Sequence, residues 1–298
     1  TDSAGVTHIG LLEEQGKGGS QPVDDTVEVT ANKIDFGDDV LLLANGIVTG
    51  RDYVKFHQAL DRSNLIGSTD GNMDVFSDKF IYFGGDVGGA GVLSSLDATI
   101  EDQSLIDDNI IIFDGNLVRA LNDINLNPNG RNAPARVASI AARNFGGITF
   151  HSLQGDINFG PNEKFTSMGD VAFIAPLGEL TVGDLNAYGD IFVDTPVINI
   201  RKRGPGKILN HQGEYVDDNG TTIVVFGSVS SAGDPDVNLI GSGAKPVFSS
   251  RVLADLEGPA ADFVKRLFAA LEQANFTFQG TVLDLAPPVF TAQDLILG

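Results

Sequence analysis

Four short segments in the middle of the chain begin with the same pattern, a glycine followed by an acidic and then an aliphatic residue. They are Gly155-Asp156-Ile157, Gly169-Asp170-Val171, Gly178-Glu179-Leu180 and Gly189-Asp190-Ile191. Each is followed by a few residues of β-type sequence and another turn, and no helical segment separates the copies. A short glycine-led strand that recurs about every ten residues predicts a solenoid of stacked coils.

Residues 146–200 also alternate apolar and polar side chains within each unit. The apolar positions expected to face inward are Ile157 and Phe159, Val171 and Phe173, Leu180 and Val182, Ile191 and Val193, and Val197, Ile198 and Ile200. One such strand cannot bury its apolar face alone, whereas coils stacked ~4.8 Å apart form a continuous core. We expect glycine to permit the bend at each corner and the acid to accept hydrogen bonds from amides freed by the turn. An antiparallel β-sandwich with Gly-Asp hairpins is the alternative, because the glycines are unevenly spaced.

Composition favours turns over helices. The chain contains 31 Asp but nine Glu, together with 36 Gly, and Asp and Gly favour turns whereas Glu favours helix.

The formal net charge of −21 repels phosphate backbones and anionic lipid, so we expect no nucleic-acid partner. No apolar run approaches the ~18 residues of a membrane-spanning helix. The absence of cysteine excludes disulfides and thiolate metal sites.

The sequence divides the chain into three parts. Residues 1–22 lack periodicity and predict an extended arm or linker, residues 23–250 predict the β-helix, and residues 251–298 predict a helix, a strand pair and a tail. Within the β-helix, residues 52–60 and 131–143 are richer in helix formers and are expected to loop out of the stack.

The C-terminal part contains a predicted amphipathic helix. Pro259, directly after Gly258, suits the first helical position, and the apolar face includes Phe263, Leu267 and Phe268. We expect this helix either to cap the last coil against uncontrolled strand pairing or to pack on a partner.

Residues 168–200, MGDVAFIAPLGELTVGDLNAYGDIFVDTPVINI, resemble the coils of filamentous-haemagglutinin-like proteins, which are exported by two-partner secretion, and of related adhesins. The resemblance is strongest over residues 146–200. It implies a right-handed parallel β-helix, bacterial-type export, and a structural or adhesive role outside the cell or on its outer surface. Removal of a signal peptide would explain the start at Thr1, as would a trimmed chain.

Enzymes that cleave polysaccharides are the main catalytic users of parallel β-helices. Adjacent acids such as Asp107-Asp108 are frequent here, but neighbours on one strand point to opposite faces and cannot form the facing carboxyl pair of a glycosidase. The four histidines stand in unrelated contexts, and no nucleophile elbow, phosphate loop or dinucleotide fingerprint occurs. The sequence therefore predicts no catalytic or cofactor-binding residue, with a polysaccharide lyase or glycoside hydrolase as the alternative.

Two groups of residues could bind an ion or a partner. Asp70, Asn72 and Asp74 offer oxygen ligands for Ca²⁺ in an Asp/Asn-rich turn, although turn chemistry also explains them. Arg201-Lys202-Arg203 is a tight basic cluster in an acidic chain. It is either a solvated turn or a docking point for the acidic face of a neighbouring copy.

These observations predict a non-enzymatic, secreted or cell-surface structural or adhesive protein, a self-assembling subunit of a larger extracellular assembly or filament. The expected partners are copies of the chain itself, other surface proteins or glycans. A polysaccharide-binding or polysaccharide-cleaving β-helix protein is the alternative.

Overall fold

The structure is a computed structural model of the chain. The residues that it describes are 7–9, 26–64, 70–101, 111–127, 138–160, 163–201, 206–209, 215–218, 222–225, 229–233, 235–240 and 247–250. The regular secondary structure in these residues is β-strand throughout. In this part of the chain no helix is long and apolar enough to cross a membrane.

The described chain winds as a parallel β-helix in which successive coils add strands to three faces. The first face contains the first halves of β2 (Thr26–Phe36) and β4 (Asn45–Phe56), then β6 (Asn72–Ser77), β8 (Ser95–Ile100), β11 (Ile124–Leu126), β14 (Ile157–Phe159), β17 (Glu179–Val182), β20 (Val197–Arg201) and β25 (Asp236–Ile240). The second face contains the second halves of β2 and β4, then β7 (Ile81–Phe83), β9 (Ile111–Phe113), β12 (Ala138–Ala142), β15 (Glu163–Ser167), β18 (Asp184–Ala187), β23 (Thr222–Val225) and β26 (Val247–Ser250). The third face contains β1 (Thr7–Ile9), β3 (Val40–Leu42), β5 (Leu60–Arg62), β10 (Leu117–Ala120), β13 (Ile148–Ser152), β16 (Val171–Ile174), β19 (Ile191–Asp194) and β24 (Val229–Ser231).

The strand pairing confirms the predicted solenoid. The first and second faces form one 16-stranded sheet because β2 and β4 each run across the corner between them. On the third face, single bridges from Val87 to Leu60 and to Val118 join the strands on either side. Among the described strands, only β21 (Gly206–Leu209) and β22 (Tyr215–Asp218) pair antiparallel. The alternative of an antiparallel β-sandwich with Gly-Asp hairpins is therefore wrong, since the strands that follow the glycine-acid segments pair in parallel.

The core consists of the inward side chains of all three faces. Every apolar position predicted to face inward between Ile157 and Ile200 is at most 5% exposed, except Val197, which is half-buried. In β6, β8, β13 and β14, buried and partly exposed residues alternate with the period of two that the sequence shows, whereas β9 is buried at all three positions. Burial of these rows on successive coils forms one continuous hydrophobic core.

Phenylalanine rings stack along the axis of the core. Phe36, Phe56, Phe83 and Phe113 occupy the same register position of the second face, with ring centroids 4.9, 5.4 and 5.0 Å apart and nearly parallel planes. The next residue in that column is Ala142. Its small side chain leaves room for a second aromatic cluster from all three faces, which consists of Phe150, Phe159, Phe165 and Phe173.

The glycine-acid-aliphatic segments lie alternately on two different corners. We call the corner after the second face the second corner, and the corner after the third face the third corner. The segments at Gly155 and Gly178 lie on the third corner, where Ile157 pairs with Leu180. Those at Gly169 and Gly189 lie on the second corner, where Val171 pairs with Ile191. One coil therefore contains two copies, and the uneven spacing in the sequence results from two interleaved columns.

The prediction that residues 52–60 and 131–143 loop out of the stack is wrong where the structure describes them. Residues 52–56 belong to β4 and Leu60 to β5, with Val54 and Phe56 fully buried. Ala138–Ala142 forms β12 inside the second face. Burial of the inward side chains overrides the local helix propensity in both segments. Residues 128–137 lie outside the described part.

Of the two terminal parts of the predicted division, the structure describes residues 7–9 of the first and none of residues 251–298. Within residues 1–22, Thr7–Ile9 forms β1 and pairs in parallel with β3. The predicted C-terminal helix, with Phe263, Leu267 and Phe268, lies outside the described residues.

Candidate functional site

The corner acids connect successive coils. On the third corner, Asp123 Oδ1 accepts from the N–H of Asp156 (2.9 Å), and Asp156 Oδ1 accepts from the N–H of Glu179 (2.8 Å). On the second corner, Asp170 Oδ1 accepts from the N–H of Asp190 (2.9 Å). The sequence predicted that each acid would satisfy amides of a turn, and the structure shows that these amides belong to the neighbouring coil. These recurring acids are therefore part of the scaffold.

The corner glycines are required mainly by close approach between coils. A Cβ on Gly85 would lie 2.6 Å from the carbonyl carbon of Gln58, and one on Gly178 would lie 2.5 Å from that of Gly155. Positive φ angles among the described glycines occur instead at Gly71, Gly88 and Gly147. The expected bend is thus only part of the reason for glycine, because at Gly85 and Gly178 the backbone of the preceding coil leaves no space for a side chain.

A groove of about 450 Å³ runs along the second corner and the adjoining third face. Its floor is an outward row of side chains in register on β13, β16, β19 and β24, namely Thr149, Ala172, Phe192 and Ser230. Its wall is formed at the corner by Asn116, Gly146, Gly147, Asp170 and Asp190. The small side chain of Ala172 gives the floor its depth between Thr149 and Phe192.

A network of side-chain hydrogen bonds holds the wall next to Gly146. Asn144 donates from Nδ2 to Asn116 Oδ1 (2.6 Å) and accepts at Oδ1 from the N–H of Gly146 (2.8 Å). Gly147 follows with φ of 94°, a conformation that favours glycine. Phe145, between Asn144 and Gly146, is 80% exposed. The turn that carries this exposed ring is thus tied to the preceding coil.

A bidentate ion pair stabilises the second corner. Arg143 donates from Nε and Nη2 to the two carboxylate oxygens of Asp114, at 2.9 and 2.6 Å. The hydrogen bond from Arg143 lowers the pKa of Asp114 below its ordinary value, and that bond raises the pKa of Arg143 in return. Tyr82 donates to Asp114 Oδ2 (2.9 Å), and burial, followed by this hydrogen bond, raises the pKa of Tyr82. The carboxylate is therefore held ionised at neutral pH.

His151 lies two positions along β13 from the groove floor. It pairs in register with Arg119 and Ile174 on the neighbouring strands. Burial, assisted by the charge of Arg119, lowers the pKa of His151. The imidazole is therefore neutral at pH 7 and adds no positive charge beside the groove.

Of the three residues predicted as weak calcium ligands, Asp70 lies two residues before β6, and Asn72 and Asp74 lie in its first half. The backbone carbonyl of Asp70 accepts from Ser94 Oγ (2.5 Å), and Asn72 Oδ1 accepts from Ser95 Oγ (2.8 Å). Asp74 faces outward on the first face. In the described part of the chain no group of three or more His, Asp or Glu side chains is placed to hold a metal ion. A calcium site here stays a prediction.

The predicted basic cluster is described only at its first residue. Arg201 ends β20, pairs in register with Ile240 and is half-buried, and burial lowers its pKa. Lys202 and Arg203 lie outside the described residues. The cluster as a docking point is thus still a prediction.

Comparisons of the chain with models of protein families, with curated proteins and with solved structures found no match. The resemblance of residues 146–200 to filamentous-haemagglutinin-like proteins accordingly stays a prediction.

Sequence reasoning did not find the groove residues. Phe192 reads as one more apolar residue of a strand, and Asn144 as a turn residue. One signal was available, the alternation of side chains along a strand. Phe192 lies between the inward residues Ile191 and Val193, and it therefore faces outward. The wall of the groove has no such signal, because Asn116, Gly147 and Asp170 meet only when coils of different length are stacked.

Proposed function

We propose that the chain is a non-enzymatic structural or adhesive protein of the cell surface or extracellular space, and a self-assembling subunit of a larger assembly. The observation that carries this proposal is the use of the corner acids. Asp39, Asp86, Asp123, Asp156 and Asp170 each accept a backbone N–H from the next coil. These acids stabilise a long stack of coils, which is what a scaffold requires.

The outer faces of the stack differ in charge, which supports lateral assembly. On the second face, Lys33 and Lys55 lie 5.8 and 4.4 Å from the ring centre of Tyr53. On the first face, Asp74 and Asp97 lie side by side on neighbouring strands. In a chain with a formal net charge of −21, a cationic and aromatic surface next to acidic faces is complementary to a second copy.

The ends of the stack support assembly along its axis. Among the described strands, β2 pairs only with β4, and β26 pairs only with β23. In an axial assembly, the outer edge of such a strand would pair its backbone donors and acceptors with a strand of a second copy. Addition of a second copy at such an edge would continue the same parallel pairing.

Light scattering and negative-stain microscopy of the purified chain test this proposal. We expect filaments or defined oligomers that dissociate as the salt concentration rises, because screening weakens contacts between exposed charges. The Lys55→Glu variant should assemble less, whereas Lys164→Glu, which changes an exposed lysine elsewhere on the second face, is the matched control. A monodisperse compact monomer at all protein concentrations would contradict the assembly. Release of new reducing ends or unsaturated products from a panel of glycans would contradict the absence of catalysis.

A further inference from the structure

The groove on the third face presents a repeating surface along the axis of the β-helix. Its floor residues Thr149, Ala172, Phe192 and Ser230 lie on consecutive strands of that face. Since neighbouring strands are ~4.8 Å apart, groove groups recur at that interval. This interval is close to the length of one sugar ring in an extended polysaccharide. An extended chain laid along the axis would therefore place about one ring beside each floor residue.

The charge of the groove excludes anionic polymers. Asp170 and Asp190 are both exposed in the wall, and no Lys, Arg or His is among the described residues that line the groove. The net charge of the whole chain has the same sign. A polyanion would therefore be repelled at the contact itself and during its approach.

The polar groups of the groove fit hydroxyl groups better than ammonium groups. The hydroxyls of Thr149 and Ser230 and the amide of Asn116 both donate and accept, whereas the carboxylates of Asp170 and Asp190 only accept. One oxygen of Asp170 already accepts the N–H of Asp190. A sugar hydroxyl donates and accepts at once, whereas an ammonium group only donates and would offer no acceptor to the N–H donors of Asn116 or the O–H of Thr149.

An exposed aromatic ring supplies the apolar part of the contact. Phe192 lines the groove and is 37% exposed although it is a large apolar side chain. The flat C–H face of a pyranose ring packs on an aromatic ring, which carries partial negative charge on its faces. Asn144 holds Asn116 and Gly146 of the wall in place, so that little conformational entropy is lost when a ligand binds.

We infer that this groove binds a linear, neutral polysaccharide, with one sugar ring on Phe192 and the hydroxyls of neighbouring rings on Asp170, Asp190 and Thr149. The inference rests on the proposed adhesive function and specifies the chemical class of its ligand. The polysaccharide lies along the axis of the β-helix, across β13, β16 and β19.

Isothermal titration calorimetry of the full chain tests this inference. The probes are neutral hexasaccharides of glucose, mannose and xylose, with a hexagalacturonate as the anionic probe and a hexamer of glucosamine as the cationic one. We expect saturable binding of at least one neutral probe and no binding of the anionic probe. Phe192→Ala should weaken binding about tenfold, as the loss of one aromatic contact predicts. Ala172→Arg should abolish binding by filling the floor.

Leu177→Ala is the matched control, because Leu177 is an apolar side chain that is 73% exposed and does not line the groove. Its affinity should equal that of the unaltered chain, and circular dichroism should show the same β-structure for all three variants. Failure of every neutral probe to bind, preference for the charged probes, or unchanged binding in both Phe192→Ala and Ala172→Arg would overturn the inference. Microscopy on the same samples distinguishes this failure from failure of the proposed assembly, because filament formation does not require the groove.

Discussion

The carboxylate of Asp156 accepts a hydrogen bond from the backbone N–H of Glu179 at 2.8 Å, and the two residues lie on consecutive coils of the third corner. The N–H of Asp156 in turn donates to Asp123 on the preceding coil. Asp156 thus accepts an amide N–H from the following coil and donates its own N–H to the preceding coil. The repeat that is visible in the sequence is therefore a contact between coils.

Replacing Asp156 tests the contribution of this contact. Asp156→Ala leaves the N–H of Glu179 without its acceptor, and we expect the free energy of unfolding to fall by about 1–2 kcal/mol. Asp156→Asn keeps an oxygen acceptor and should cost less. Urea denaturation followed by circular dichroism measures both changes. Asp38→Ala, at an exposed acid of an earlier corner, is the control, and an equal loss in that variant would contradict the role of Asp156.

The close approach of corner backbones predicts unequal effects of glycine substitutions. A methyl group on Gly178 would press on the carbonyl of Gly155, whereas one on Gly37 would meet no atom within 4 Å. We expect Gly178→Ala to destabilise the fold by about 1–3 kcal/mol. Gly37→Ala should be neutral or slightly stabilising, because it restricts the unfolded chain. The melting temperatures of the two variants test this difference. Equal values would contradict the requirement for glycine at Gly178.

The phenylalanine stack predicts a large penalty for truncation. Phe83 is fully buried between Phe56 and Phe113, so Phe83→Ala should cost about 3–5 kcal/mol by leaving a cavity. Phe83→Leu refills part of that volume and should cost less. Chemical denaturation measures the free energy of unfolding of both variants, and Phe83→Leu should be the more stable of the two. Leu177→Ala, at an exposed apolar residue, should leave the midpoint unchanged.

Asp74 and Asp97 predict that part of the stability is lost as the pH rises. Burial raises the pKa of both acids, and the charge of Asp74 raises that of Asp97 further. The folded chain therefore binds these protons more tightly than the unfolded chain. The free energy of unfolding therefore falls as the pH rises from 3.8, the ordinary pKa of an aspartate in the unfolded chain, through the raised pKa of the folded chain.

Asp97→Asn removes the repulsion between these two carboxylates, and it should stabilise the fold at pH 7 by about 0.2–1 kcal/mol. At pH 3, where both acids are protonated in either state, the gain should disappear. Thermal melts at the two pH values measure the difference. A gain of the same size at both would indicate an effect unrelated to charge.

Some features were predictable because they depend on neighbouring residues in the sequence. Ile157 and Phe159 alternate with polar residues, and alternation by itself places their side chains on one side of a strand. Residues 52–56 show the limit of this reasoning. Their local propensity suggested a loop, but the burial of Val54 and Phe56 against neighbouring coils places them in β4. Asn127 also depends on stacking, since it is fully buried and its Oδ1 accepts from the N–H of Ile100 on the preceding coil.

The sequence by itself determined that the chain folds into short strands with an inward row of apolar residues and corners of glycine and acid. These features follow from the period of two and from backbone preferences, both of which act over a few residues. Only the tertiary structure decided which copies share a corner, that Asp156 caps the coil of Glu179, and that Asn116, Asp170 and Phe192 line one groove. The physical reason is that these contacts join residues far apart in sequence, and their register is fixed only when the coils stack and bury their inward side chains.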